Sequence, residues 1–146
     1  MAKLFELHQG DNIGGIAKVQ IAHITDFKSF NPVSFHPNKG WQEIAFIPSS
    51  GTMKGEEKDS DNGVYHHYEG LFEIQYQSNV VSFKLRTYIG KVSVLKITDL
   101  NGRSRVIGTP EEPVTVSRSS DTGSAPKDMN HNVVTFSVDQ LLPALL

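Results

Sequence analysis

From Val64 onward, large side chains recur at every second position: Val64, His66, Tyr68, Phe72, Ile74 and Tyr76 share one side. After the polar bend Gln77-Ser78-Asn79 the alternation resumes at Val81, Phe83, Leu85, Thr87 and Ile89. A period of two is that of a half-buried strand, because successive side chains point to opposite faces of a pleated sheet. The pattern predicts one long β-hairpin over Tyr65 to Ile89. Upstream, Ala17, Val19, Ile21 and His23 alternate with Lys18, Gln20 and Ala22, and Trp41 to Ile47 sets Ile44 and Phe46 against Glu43, Ala45 and Ile47. Downstream, Val92 to Thr98 turns through Asp99-Leu100-Asn101-Gly102 into Arg103 to Ile107. Asn-Gly is a strong hairpin signal because both residues tolerate positive φ. Val114 to Arg118 follows Pro113, and Asn132 to Val138 points Val134, Phe136 and Val138 one way. The chain reads as mainly β: an antiparallel β-sandwich or barrel of about eight strands, with at most short helical turns.

The connections are polar. Between Thr25 and Gly40, Asn31-Pro32 and His36-Pro37 hold the residues before proline extended, which predicts a long irregular connection. Residues 48–63 carry Met53 as their one large apolar side chain and are expected to form an exposed, mobile loop; Ser119 to His131 is expected to form a second. Without an internal repeat or a separating linker, residues 1–146 read as a single β-rich domain.

At 146 residues with no cysteine, the sequence excludes thiol catalysis, thiolate metal sites and a disulfide framework. The start, Met1-Ala2-Lys3-Leu4-Phe5-Glu6-Leu7-His8, lacks the apolar stretch of a signal peptide, and no apolar run reaches the roughly 18 residues that cross a bilayer. The expectation is a protein with no membrane partner. The formal charge of −2 conceals an asymmetry: residues 1–73 hold 10 Asp/Glu against 6 Lys/Arg, and residues 74–146 hold 6 against 8. Acidic and basic halves can attract one another between subunits or mix on one surface.

Candidate chemistry is sparse. His66 and His67 are neighbours on a predicted strand, so they point to opposite faces and do not share one ion. Asp59-Ser60-Asp61-Asn62-Gly63 resembles a calcium loop in composition, but setting Gly63 and Glu69 in register places Lys58 at the first ligand position. Gly10 to Gly15 lacks the Lys-Ser/Thr ending of a phosphate loop. The pairs Glu56-Glu57 and Glu111-Glu112 have nothing apolar beside them to raise a carboxyl pKa. These readings predict no enzyme activity, no metal and no cofactor.

Three surfaces remain as candidates for interaction. Lys84, Arg86, Lys91, Lys96, Arg103 and Arg105 form a basic run with Tyr88 as a stacking ring, which suits a single-stranded nucleic acid or an acidic protein surface. A pI near 6.3 argues against tight nucleic-acid binding. The acidic counterpart is Glu56, Glu57, Asp59 and Asp61. The apolar end, Leu141, Leu142, Leu145 and Leu146, either closes the core or docks into a neighbour. Trp41, Tyr65, Tyr68 and Tyr88 supply rings for an alternative reading, a carbohydrate-binding module of jelly-roll type.

The C-terminal half carries a resemblance. Val94-Leu95-Lys96-Ile97-Thr98-Asp99-Leu100-Asn101-Gly102, Val106 to Val114 with its Gly108 and bounding Pro110 and Pro113, Thr122-Gly123, Asp128-Met129-Asn130-His131 and Val133 to Ser137 resemble small virion-associated proteins encoded by prophages of Bacteroides-type bacteria. The similarity covers about residues 92 to 140. It implies a structural component of a phage particle or tail-like assembly, located in the virion and, during assembly, in the bacterial cytoplasm. Its partners would be copies of itself or other virion proteins, with no catalytic residues.

Overall fold

The computed structural model describes Leu4 and residues 14–30, 32–47, 50–74, 79–121 and 131–144. Among these residues ten strands alternate with little helix: β1 (Ile16–His23), a 3-10 turn (Ile24–Asp26), β2 (Phe27–Ser29), β3 (Ser34–Phe35), β4 (Gln42–Ile44), β5 (Thr52–Ser60), β6 (Gly63–Ile74), α1 (Asn79–Arg86), β7 (Gly90–Asp99), β8 (Ser104–Ile107), β9 (Val114–Asp121) and β10 (His131–Gln140). Eight of the strands make one curled antiparallel sheet, a half-barrel, in the order β4-β1-β7-β9-β10-β6-β5 with β8 alongside β7. The mainly β antiparallel architecture expected from the sequence is the architecture observed.

The curl originates at β7. One edge of β7 pairs with β1, and its other edge is shared, by β8 along Leu95 to Thr98 and by β9 at Gly90 and Ser93. β8 and β9 therefore follow one another along a single edge, and residues 108–113 loop out between them. Gly108 starts that excursion at φ +83, with Val114 Cγ2 only 2.6 Å from where a Cβ would sit. Thr109 closes it, its N–H donating to the Glu112 carbonyl and its hydroxyl accepting from the Glu112 N–H at 2.9 Å. Past this break β9 leaves β7 and carries β10, β6 and β5 around the core.

Inside the curl lie Val19, Ile21, Leu95, Ile97, Ile107, Val114, Val116, Val134, Phe136, Val138, Tyr68 and Phe72, all buried. Ile16 joins Val19 on that face because the β1–β7 register shifts between Ile16 and Lys18, a bulge that leaves Ala17 exposed. A second, smaller cluster covers the outer face. There Ala22 and Val94 meet Phe27, which stacks on Phe35 at 4.8 Å and stands edge-on to Phe30 and Trp41.

Four expectations need correction. The second limb of the predicted 65–89 hairpin is the helix α1 with its following turn: Leu85 is buried while Phe83 is 74% exposed, so these alternating residues do not share a face. Lys84 and Arg86 lie in the last helical turn, where cations complement the carbonyl end of the dipole. Residues 52–60, expected as a loop, are β5. Its backbone bonds to β6 need no apolar side chains, which is why composition concealed it. The stretch 25–40 is less irregular than its prolines imply, because β2 and β3 pair to present the aromatic cluster. Finally, the predicted loop 119–131 begins and ends in strand, at β9 and β10; residues 122–130, like Tyr76 and the bend 77–78, lie outside the described residues.

Candidate functional site: the open edge and its charged face

β5 is the last strand of the sheet and pairs with β6 alone among the described strands. The two are joined by Asp61-Asn62 with Gly63 at φ +118; Ser60 Oγ donates to the Gly63 carbonyl at 2.8 Å and accepts from the Asn62 N–H. The acidic stretch that resembles a calcium loop is thus a tight hairpin turn. From β4 the chain reaches β5 along the end of β6: Ile47 N–H donates to the Glu73 carbonyl at 2.7 Å, and the Ser50 hydroxyl accepts from the Glu73 N–H.

Register places Lys54, Glu56 and Lys58 on the outer face, with Glu69, His67 and Tyr65 beside them on β6 and Asp139 beyond His67 on β10. Lys54 Nζ lies 2.8 Å from Glu56 Oε1, and Lys58 lies 3.9 Å from the other oxygen. Hydrogen bonding between Lys54 and Glu56 raises the ammonium pKa and lowers that of the carboxyl. His67 sits between two carboxylates, Nδ1 at 2.5 Å from Asp139 and Nε2 at 3.2 Å from Glu69. A carboxylate only accepts, so both ring nitrogens are satisfied when both carry protons. The Asp139 hydrogen bond accordingly raises the His67 pKa, against an opposing effect of partial burial. His66 points to the other face, 4.0 Å from Glu57, and among the described residues no three His, Asp or Glu side chains group to hold a metal ion.

Next to this network the outer face dips into a trough of about 490 Å³ whose walls include Lys54, Glu69, Thr115, Ser117, Thr135 and Ser137. Ser117 and Thr135 share a hydrogen bond of 2.6 Å. A second cleft, of about 390 Å³, opens at the seam of the half-barrel, lined by Arg103, Arg105, Ile16 and Ile97 together with Thr52 and Met53 of β5. Asp99 shapes its rim by accepting from the Asn101 and Arg103 N–H groups, both at 2.9 Å.

The basic run read from the sequence is not one strip. Lys84 and Arg86 are on α1, Lys91 is the second residue of β7, Lys96 lies mid-strand on β7, and Arg103 and Arg105 line the seam. Tyr88 is half-buried against the core, its hydroxyl pKa raised by that burial. Of the acidic set, Glu56 is neutralised by its own strand neighbours, Glu57 and Asp59 fall on the inner-face register, and Asp61 is in the turn. The four rings of the carbohydrate reading do not converge. Trp41 is in the outer aromatic cluster, Tyr88 packs on the core, Tyr65 is on the outer face, and the Tyr68 hydroxyl accepts from the Ala144 N–H at 3.0 Å.

The C-terminal segment is pinned by Gln140, 3% exposed, whose Oε1 accepts from the Gly108 N–H and whose Nε2 donates to the Leu142 carbonyl, both at 2.8 Å. Ala144 folds back onto the core, whereas Leu141 and Leu142 are exposed; Leu145 and Leu146 lie outside the described residues. Sequence reasoning missed Lys54, Lys58, His67, Glu69 and Asp139 as a network. The available signal was Lys-x-Glu-x-Lys followed by His-x-Glu, charges at strand spacing. No protein-family model, curated protein or solved structure matches this chain.

Proposed function

We propose that this protein is a non-enzymatic structural subunit of a phage-like particle, acting by self-association or by docking to other virion proteins. The open edge of β5 carries the reading. Nine consecutive residues hold strand geometry, and the edge away from β6 is left without a neighbouring strand among the described residues. An unpaired strand edge presents a row of N–H and C=O groups that another strand can complete. The resemblance of residues 92 to 140 to prophage-encoded virion proteins points the same way. Light scattering across a concentration and salt series tests it. A defined oligomer, or growth that salt weakens, is the expected result; a strict monomer at every concentration refutes self-association.

A second reading is favoured by the hydroxyl-lined trough on the outer face, whose Ser, Thr, Lys and Glu side chains match the donors and acceptors of a carbohydrate. A glycan screen that detects no binding at millimolar concentration removes it.

A further inference from the structure

We infer that β5 is a self-complementary edge: two copies of the chain pair antiparallel through Thr52 to Lys58, with Gly55 on the two-fold axis. The inference rests on the self-association reading and adds the partner, the surface and the register. In an antiparallel two-fold pairing that continues one sheet, outer-face residues must meet outer-face residues, so the numbers of opposed residues sum to an even value. Only a few such registers overlap well, and charge separates them. Centring on Glu56 sets Glu56 against itself and Lys54 against Lys58. A centre at Glu57 opposes two glutamates on the inner face, and centres at Lys54 or Lys58 oppose two lysines. The register centred on Gly55 places Lys54 opposite Glu56 of the second copy, twice by symmetry, and Thr52 opposite Lys58.

The side chains at the centre suit a junction. Gly55 has no side chain of its own, and the Tyr68 ring from β6 covers it, with Cε1 2.8 Å from the position a Cβ would take. Lys54 and Glu56 already touch within one copy, so pairing assembles an alternating quartet of charges without first exposing any of them. Charged edges discourage indiscriminate strand addition. Here the same charges discriminate among registers, penalising every alternative in which like meets like.

The chain contains no cysteine, so introduced thiols report without background. Directly opposed residues have Cα atoms about 4.5 to 5.5 Å apart, within disulfide reach, whereas a two-residue offset gives about 7 to 8 Å. Lys54→Cys mixed with Glu56→Cys should form a disulfide dimer under mild oxidation, and neither alone should. In parallel, Lys54→Glu or Glu56→Lys should each weaken homodimerisation about tenfold, and mixing the two should restore it, because each opposed pair is then Glu with Lys. Lys54 is 69% exposed, and thermal unfolding of each variant checks that the fold is retained. Self-linking of Glu56→Cys would place the edge in another register and overturn the inference. An oligomer in which no β5 pair cross-links would leave self-association standing and remove this edge from it. A monomer throughout would remove both.

Discussion

Gly70 is the residue on which the edge strand is seated, and Gly70→Ala tests that seat. A Cβ there would fall well inside contact distance of the Thr52 carbonyl oxygen, 2.6 Å from Phe136 Cζ and 3.0 Å from Met53 Cα. Two of the three neighbours are backbone atoms of β5, which cannot rotate away, and the third belongs to a ring only 2% exposed. Inserting one methyl group into a packed site costs about 1 to 3 kcal/mol. With backbone as the obstacle the upper part applies, about 2 to 3 kcal/mol, or a fall in Tm of roughly 6 to 9 °C for a chain of this size. Urea denaturation followed by Trp41 fluorescence measures it as a lower midpoint at unchanged slope. Gly40→Ala is the matched control: nothing lies within 4 Å of its Cβ position and its φ is outside the left-handed region. That substitution should leave stability unchanged or raise it by about 0.4 to 1 kcal/mol. A Gly70→Ala protein within 0.5 kcal/mol of the parent would refute the reasoning, since β5 would then be free to shift at no cost. If β5 instead peels away as a unit, hydrogen exchange will rise in Thr52 to Ser60 ahead of the rest of the sheet.

Three further outcomes follow from the geometry. Because the folded-state pKa of His67 is raised, its network contributes fully below the unfolded pKa near 6.5 and is lost as pH rises through the folded value; Asp139 and Glu69 act for it, and Lys58 against. The unfolding midpoint should therefore decline as pH rises past about 6.5 and through the raised folded value, and His67→Gln should flatten that decline; equal slopes in the two proteins would exclude His67 as its origin. Gln140→Ala leaves the Gly108 N–H without its partner and should cost about 1 to 3 kcal/mol, with faster proteolysis after Leu141; an unchanged cleavage rate would show that Gln140 does not pin the tail. Phe72→Ala should cost about 3 to 5 kcal/mol, since this ring is 1% exposed and packs on Phe46 and Phe136, while Phe83→Ser should change denaturation by less than about 0.5 kcal/mol.

How much of this was legible depended on whether side chains or backbone hold each element. β6, β7 and β10 are central strands with one face in the core, so Tyr68, Phe72, Leu95, Ile97, Val134 and Phe136 wrote their period into the sequence. β5 is an edge strand with little to bury, and it is specified by its hairpin partner. Its clearest signal was Asn62-Gly63, the same dipeptide that marked the turn at Asn101-Gly102, overlooked because charged residues surround it. α1 was misread because a run of alternating apolar residues fits either a strand or a short helix; what decides is which neighbour covers Leu85, and that is a tertiary fact. The charged network on the outer face was not legible at all. Asp139 is distant in sequence from His67, and only the β6–β10 register brings them together.

The sharing of β7 among β1, β8 and β9 also bears on how quickly the molecule forms. Neighbouring segments can zip by themselves at the β5–β6 and β7–β8 turns, but Ile21 must find Leu95 and Tyr68 must find Val138, each across more than a third of the chain. Loop closure on that scale precedes any reward from pairing, which puts refolding in the slow regime of milliseconds to seconds typical of sheets built from distant partners. Until β10 arrives, the β5–β6 hairpin has one flank bare on each side, and in a crowded solution each flank is open to the strands of other chains. For a protein whose described strands leave one such flank unpaired, the difference between premature and productive association is a matter of timing: β10 has to reach β6 before another molecule does.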